Sequence, residues 1–343
     1  MEGHNFERII GGTDEDKEKA SIVLQEAHDG GSKRYEEKQI EKTPEDIQII
    51  DKTQKVVNEM VQYFGGSPKD VPIEHVYVLE PGGVSSVSEG KILGGVHITM
   101  SSRIGVDRNE SNFLFASTIA HEMFHLTSYK SAYIKDPEYG PDLYRHGLQM
   151  VDKKDDAEKA GQEKKYFAQM EEAIVAECTR RFLKKIGSDP LFAEDFQALE
   201  KIKNWVINFH RKNGASEERI AEFESELKFI PNPTEVVKIV LGEYDDENNQ
   251  QAMAAGMFAR MFKEKSVEFM ERLKERKKMY ALLDEILVAS SGVYQNRDEI
   301  FDDFARANFT GNYLPLAKKV EAILGKGSFR KIAEDFAIDP HKK

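Results

Sequence analysis

The chain has 343 residues, 40% of them hydrophobic and 32% charged, with a formal net charge of −12 at pH 7. That length predicts two or three packed units, and 20 Phe can help fill a sizeable core. The acidic balance argues against a nucleic-acid-binding surface, and the lone Cys178 excludes an intrachain disulfide.

The first residues carry no apolar signal-peptide core, and no later stretch has the roughly 18 uncharged apolar residues of a membrane span. A cytoplasmic protein with no membrane partner is the expectation. Residues 1–70 read as an N-terminal helical region. It opens with a charged, loosely held lead-in, punctuated by Gly11-Gly12 and Gly30-Gly31. A helix follows from Pro44 to Phe64, where Ile47, Ile50, Val57 and Val61 recur at helical spacing before Gly65-Gly66 stops it.

Residues 71–186 change character. His75 to Leu79 is a β-type run ended by Pro81-Gly82-Gly83, and Lys91 to Met100 is a second, with Val96, Ile98 and Met100 alternating against His97 and Thr99. Turn residues follow as far as Asn112. From Phe113 to Tyr129 a helix-length stretch is apolar almost all round, which predicts a buried helix. Residues 134–166 read as a polar, lid-like loop, and Phe167 to Ile186 as a helix closed by Gly187 and Pro190.

Residues 187–343 form a C-terminal helical domain, interrupted at Pro231-Asn232-Pro233 and around Ser290 to Gly292. Within it, Met253, Met257 and Met261 read as core packing, and Arg272 to Lys278 as an exposed helix face. The fold class is α+β, mostly helical, with a small early sheet.

The informative stretch is His121-Glu122-Met123-Phe124-His125. Residues four apart on a helix lie about 40° apart around the axis and about 6 Å along it, so both imidazoles project from one face. Two imidazole nitrogens can then reach one Zn²⁺ at about 2.0–2.1 Å. Glu122 sits at the edge of that face, placed to touch a metal-bound water rather than the metal. The preceding residues Leu114 to Ala120 carry no charge. Three ionisable groups on a buried helix without a partner would cost several kcal/mol, which favours a metal site over a structural role.

Zinc wants a third protein ligand and leaves a fourth position open. The short HExxHxxGxxH arrangement is absent, because positions 128 and 131 are serines. The segment Met170-Glu171-Glu172-Ala173 offers instead a carboxylate pair inside an otherwise apolar helix, with Glu171, Glu172 and the later Glu177 all open as the third ligand.

At these residues the chain resembles the gluzincin superfamily of zinc metallopeptidases, which pair an HExxH helix with a glutamate on a downstream helix. Glu172, followed by Ala173, matches the ligand position. The acid expected four residues on is missing: position 176 is alanine and the acid is Glu177. The resemblance implies a zincin-like catalytic core with a small mixed sheet packed on the HExxH helix. It also implies Zn²⁺ as cofactor, Glu122 as general base, and a peptide or protein substrate.

It further implies that Gly95, Val96, His97 and Ile98, on an edge strand, bind substrate by backbone hydrogen bonds. An oxyanion-stabilising donor is expected among Tyr144, His146, His210, Tyr294 and Tyr313. Two alternatives stand beside the peptidase: a zinc hydrolase of another amide or ester, and a non-enzymatic regulatory protein on the same scaffold. The intact Glu122 weighs against the last.

Overall fold

The computed structural model describes residues 6–88, 94–98, 102–108, 111–134, 142–152, 163–195 and 266–339, with isolated positions between 197 and 217. The fold is α+β and mostly helical, with two small sheets. Pro231 to Pro233 and the Met253 stripe lie outside the described residues.

The chain opens with strand β1 (Arg8–Ile10), then helices α1 (Asp14–Glu36) and α2 (Pro44–Tyr63). Each helix starts on a reciprocal cap: the Thr13 and Thr43 hydroxyls accept from the N–H groups of Asp16 and Asp46, whose carboxylates accept back. The helical lead-in is thus a capped helix, preceded by a short strand that the residues did not announce. Next come β2 (Val76–Leu79), the single-turn α3 (Gly83–Val87), β3 (Gly95–Ile98) and β4 (Arg103–Asp107). They form a three-stranded sheet in the order β2-β4-β3, with β4 parallel to β2 and antiparallel to β3.

Strand β4 corrects the expectation of turn residues up to Asn112. Ile104 and Val106 are fully buried, but Gly105 between them and the flanking polar residues weaken the strand signal. Gly105 is needed here, because a Cβ would lie 2.9 Å from the Tyr35 ring of α1.

Helix α4 (Asn112–Thr127) carries the HExxH motif and leads into β5 (Lys130–Tyr133). The segment expected as a lid contains β6 (Asp142–His146), β7 (Gln149–Val151) and β8 (Lys165–Tyr166) among its described residues. With β1 and β5 these make a second sheet, ordered β1-β5-β6-β7-β8. The polar composition misled because side chains such as Arg145 and His146 are buried by tertiary contacts that a local pattern does not register.

Helix α5 (Ala168–Ile186) follows, and the C-terminal region supplies α6 (Ser266–Ala289), α7 (Arg297–Thr310), α8 (Leu314–Leu324) and α9 (Ser328–Asp335). One core joins α2, α4, α5 and these last helices, with Ile49, Phe124, Phe182, Leu283, Phe301 and Phe329 among its members. Helix α4 is apolar over most of its surface because α2, α5 and the three-stranded sheet pack around it. Among the described residues no helix is long and apolar enough to cross a membrane.

Candidate metal centre

Helix α4 is pinned at both ends. At its start the Ser111 hydroxyl accepts from Leu114 N–H at 3.2 Å and donates to Asp195 at 2.8 Å. At its end the fully buried Lys130 Nζ donates to the carbonyls of His125 (3.2 Å) and Leu126 (2.6 Å). A donor there satisfies carbonyls that the helix leaves open at its C-terminus. Burial, helped by the nearby Lys69, pushes the Lys130 pKa well below its ordinary value, against the pull of Glu7 and Glu171.

The same His125 carbonyl also accepts from His146 Nε2 at 2.7 Å. Burial pushes His146 down to about 3 despite the nearby Glu171, so this ring is neutral at physiological pH.

Helix α5 crosses α4 and brings up its acids. It begins at Phe167, a fully buried residue in the left-handed region (φ 57°) that favours glycine. That backbone is held from outside the helix: Phe167 N–H donates to Ala333 of α9 at 3.2 Å, and its ring packs 5.1 Å from that of Phe329. The C-terminal helices thus set where α5 starts, and with it the position of Glu171 and Glu172. Being about 100° apart on the helix, the two acids serve different sides of one histidine. Glu171 Oε1 lies 3.0 Å from His125 Nδ1, and Glu172 Oε2 lies 3.3 Å from His125 Nε2.

Those contacts fix the protons. A carboxylate only accepts, so Nδ1 of His125 is the donor toward Glu171. Thr179 Oγ1 donates to the Val175 carbonyl at 2.9 Å and is left to accept from His121 Nδ1, 3.4 Å away. Both histidines then turn their Nε2 atoms toward each other, 3.2 Å apart.

Four ligands at about 2.0–2.1 Å in tetrahedral geometry stand about 3.3–3.4 Å from one another. The 3.2 Å and 3.3 Å separations at His125 Nε2 match that spacing, and the ligand atoms of His121, His125 and Glu172 all lie within 4.8 Å. The donor set therefore fits zinc. Burial works against a charged His125, yet Glu171 and Glu172 outweigh it and hold its pKa well above the ordinary value. A cation bound at His125 Nε2 would have to displace the proton held there.

A second group, His125, His146 and Glu171, also gathers within 4.8 Å. It is buried throughout, and its facing atoms are already spent on hydrogen bonds: His125 Nδ1 to Glu171, and His146 Nε2 to a carbonyl. It reads as the support behind the first group. The first group is more open, because His121 and Glu172 are only half-buried.

Glu122 faces β3. Its Oε2 lies 3.3 Å from His97 Nδ1, and a Cβ on Gly95 would come within 3.0 Å of its Cγ and Oε1. Strand β3 is an edge of its sheet, with Gly95 and His97 facing α4 and Val96 and Ile98 packed against the Tyr35, Tyr77, Leu79 cluster. The ring of His97 stacks on that of His125, with centroids 4.8 Å apart and planes at 19°.

Sequence reasoning placed His97 only as a member of a substrate strand. Its period-two alternation with Val96 was visible, but not which element it would face. Of the expected oxyanion donors, His146 stands beside the site but spends Nε2 on a backbone carbonyl, and His210 lies outside the described residues. Tyr144 is 39% exposed, Tyr294 donates to Asp303, and Tyr313 stacks on Phe329. Glu177 faces away from the centre, toward Arg180, Arg181, Arg276 and Tyr280. No family model, no curated protein and no solved structure matches the chain.

Proposed function

We propose that the chain is a zinc-dependent hydrolase acting on peptide bonds, with His121, His125 and Glu172 as metal ligands and Glu122 as general base. The observation that carries this reading is that His121 Nε2 and a Glu172 oxygen stand 3.2 Å and 3.3 Å from His125 Nε2, the separations of neighbouring zinc ligands, with the Glu122 carboxylate on the same helix held by His97. Zinc bound there supplies a Lewis acid for the scissile carbonyl and lowers the pKa of a bound water.

The rest falls to the chain. Glu122 accepts the proton of the attacking water and passes it to the departing amine nitrogen. Glu171 fixes the tautomer and ring plane of His125, and Thr179 does the same for His121. Strand β3 stands last in its sheet among the described residues, and an extended peptide binding along it would do so by backbone hydrogen bonds.

The test is metal analysis combined with turnover of a peptide library. The parent is expected to hold one zinc per chain. Glu122→Gln keeps the side-chain shape but not the basicity, so it should retain the zinc and lose about 10²–10⁴-fold in turnover. Undiminished turnover in Glu122→Gln would refute the base assignment. Cleavage of amides or esters but of no peptide would keep the centre and change the substrate class. A zinc-loaded parent inactive on all of them would favour the regulatory reading.

A further inference from the structure

We propose that His97 is a positioning residue for Glu122, holding one oxygen of its carboxylate through Nδ1–H so that the base meets the attacking water in a fixed orientation. The inference rests on Glu122 being the base, as argued above.

A glutamate carboxylate rotates about a broad, two-fold terminal torsion. On a helix face open to a cleft it would sample many orientations. Here two features of β3 restrict it. The Gly95 backbone lies so close that an added Cβ would sit 3.0 Å from Glu122 Oε1 and 2.7 Å from Thr118 Cγ2. On the other side His97 Nδ1 faces Oε2 at 3.3 Å. The carboxylate is therefore wedged between a glycine backbone and a ring nitrogen.

His97 itself has little freedom, since its ring stacks on His125 and lies 5.2 Å from that of His146. A carboxylate oxygen only accepts, so the ring nitrogen that faces Glu122 Oε2 is the donor of that pair. It is not among the residues whose ligand atoms gather within 4.8 Å. Its side chain is 17% exposed, which leaves little of it for substrate contact.

The competing explanation is that His97 merely fills space against His125. A phenyl ring would fill that space equally well, whereas an N–H toward Glu122 needs a donor. The tautomer separates the two accounts. A neutral histidine side chain in water favours the Nε2–H form, and the partner of each ring nitrogen decides which one keeps the proton.

The experiment uses the full chain with ¹⁵N-labelled histidine, metal-free and zinc-loaded, with His97 assigned by the signal lost in His97→Phe. The parent should show His97 in the Nδ1–H form, and Glu122→Ala should move it toward Nε2–H. In parallel, His97→Phe should keep zinc content and KM within about twofold while kcat falls about 10–100-fold, the scale of a misplaced reacting group. His97→Asn, which returns an N–H near the place of Nδ1, should recover most of kcat.

An Nε2–H tautomer in the parent would overturn the proposal. So would an unchanged kcat in His97→Phe, or equal losses in His97→Phe and His97→Asn. A parent that binds no zinc or turns over nothing fails the functional reading instead, and the tautomer still decides the His97 to Glu122 bond.

Discussion

Helix α5 holds buried carboxylates at two places, and their surroundings differ in kind. Glu177, 1% exposed, is ringed by Arg180, Arg181, Arg276 and the Tyr280 hydroxyl. Burial alone would raise its pKa, but Arg180, then Tyr280 and Arg276, hold it below the usual carboxylate value. Arg181 extends the network to Asp298 and Asp302 of α7, so this cluster ties α5 to the C-terminal helices.

Glu171, 2% exposed and six residues earlier, has no such company. Among the described residues the groups at hydrogen-bonding distance from the Glu171 and Glu122 carboxylates are imidazole nitrogens, His125 and His97. One end of the helix is neutralised permanently by arginines. The other faces imidazole rings. Buried charge with a full set of cationic partners is architecture, and the carboxylates that face imidazoles belong to the centre proposed above.

The largest effect that sharpens this contrast is removal of a proposed ligand. His125→Ala and His121→Ala are each expected to abolish zinc binding in elemental analysis of the reconstituted protein. Zinc retained at one per chain in both variants would remove the centre altogether.

The contrast breaks most directly in a paired experiment. Glu177→Gln leaves buried guanidinium groups without their counter-charge and should destabilise the fold by about 3 kcal/mol or more, read as a lower urea midpoint, with zinc stoichiometry unchanged. Glu171→Gln should do the reverse. The metal-free chain should unfold in the same urea range as the parent, while zinc affinity falls about 10–100-fold because His125 loses the carboxylate behind it. If each variant disturbs both properties equally, the two ends of α5 are not distinct.

The smallest expected effect concerns the strand that closes over the site. Gly95→Ala forces Thr118 and Glu122 to yield and should cost about 1 kcal/mol, the low end for overpacking. Gly95→Ala/Thr118→Ser, which removes the closest methyl group, should restore part of that stability in the same urea titration. No recovery would mean that β3 does not press on α4 as described.

Several parts of this arrangement were legible in the residues alone. The helix periodicity from Pro44 and from Phe113 marks α2 and α4 to within two residues, because a 3.6-residue repeat and its stop signals are local properties. Helical geometry also separates Glu171 from Glu172 before any packing is known. Other parts were not legible. Strand β4 is five residues with a glycine at its centre, and the strands of the supposed lid are polar on the outside. Arg276, read as part of an exposed basic face, is 5% exposed and turned toward Glu177, since nothing in its own helix reveals that an acid waits on α5.

By itself the sequence determined that two imidazoles and a carboxylate share one helix face, that this helix is buried, and that an acid pair follows on another helix. These are consequences of spacing along a regular backbone, and spacing is written in the order of residues. Only the tertiary structure decided that Glu172 approaches His125 Nε2 while Glu171 takes Nδ1, that Glu177 belongs to an arginine cluster, and that His97 reaches Glu122. Each of those pairings joins elements distant in sequence. Their orientation depends on how α5 is seated by Phe167 against α9 and how closely Gly95 lets β3 approach α4, and such contacts exist only once the core has closed.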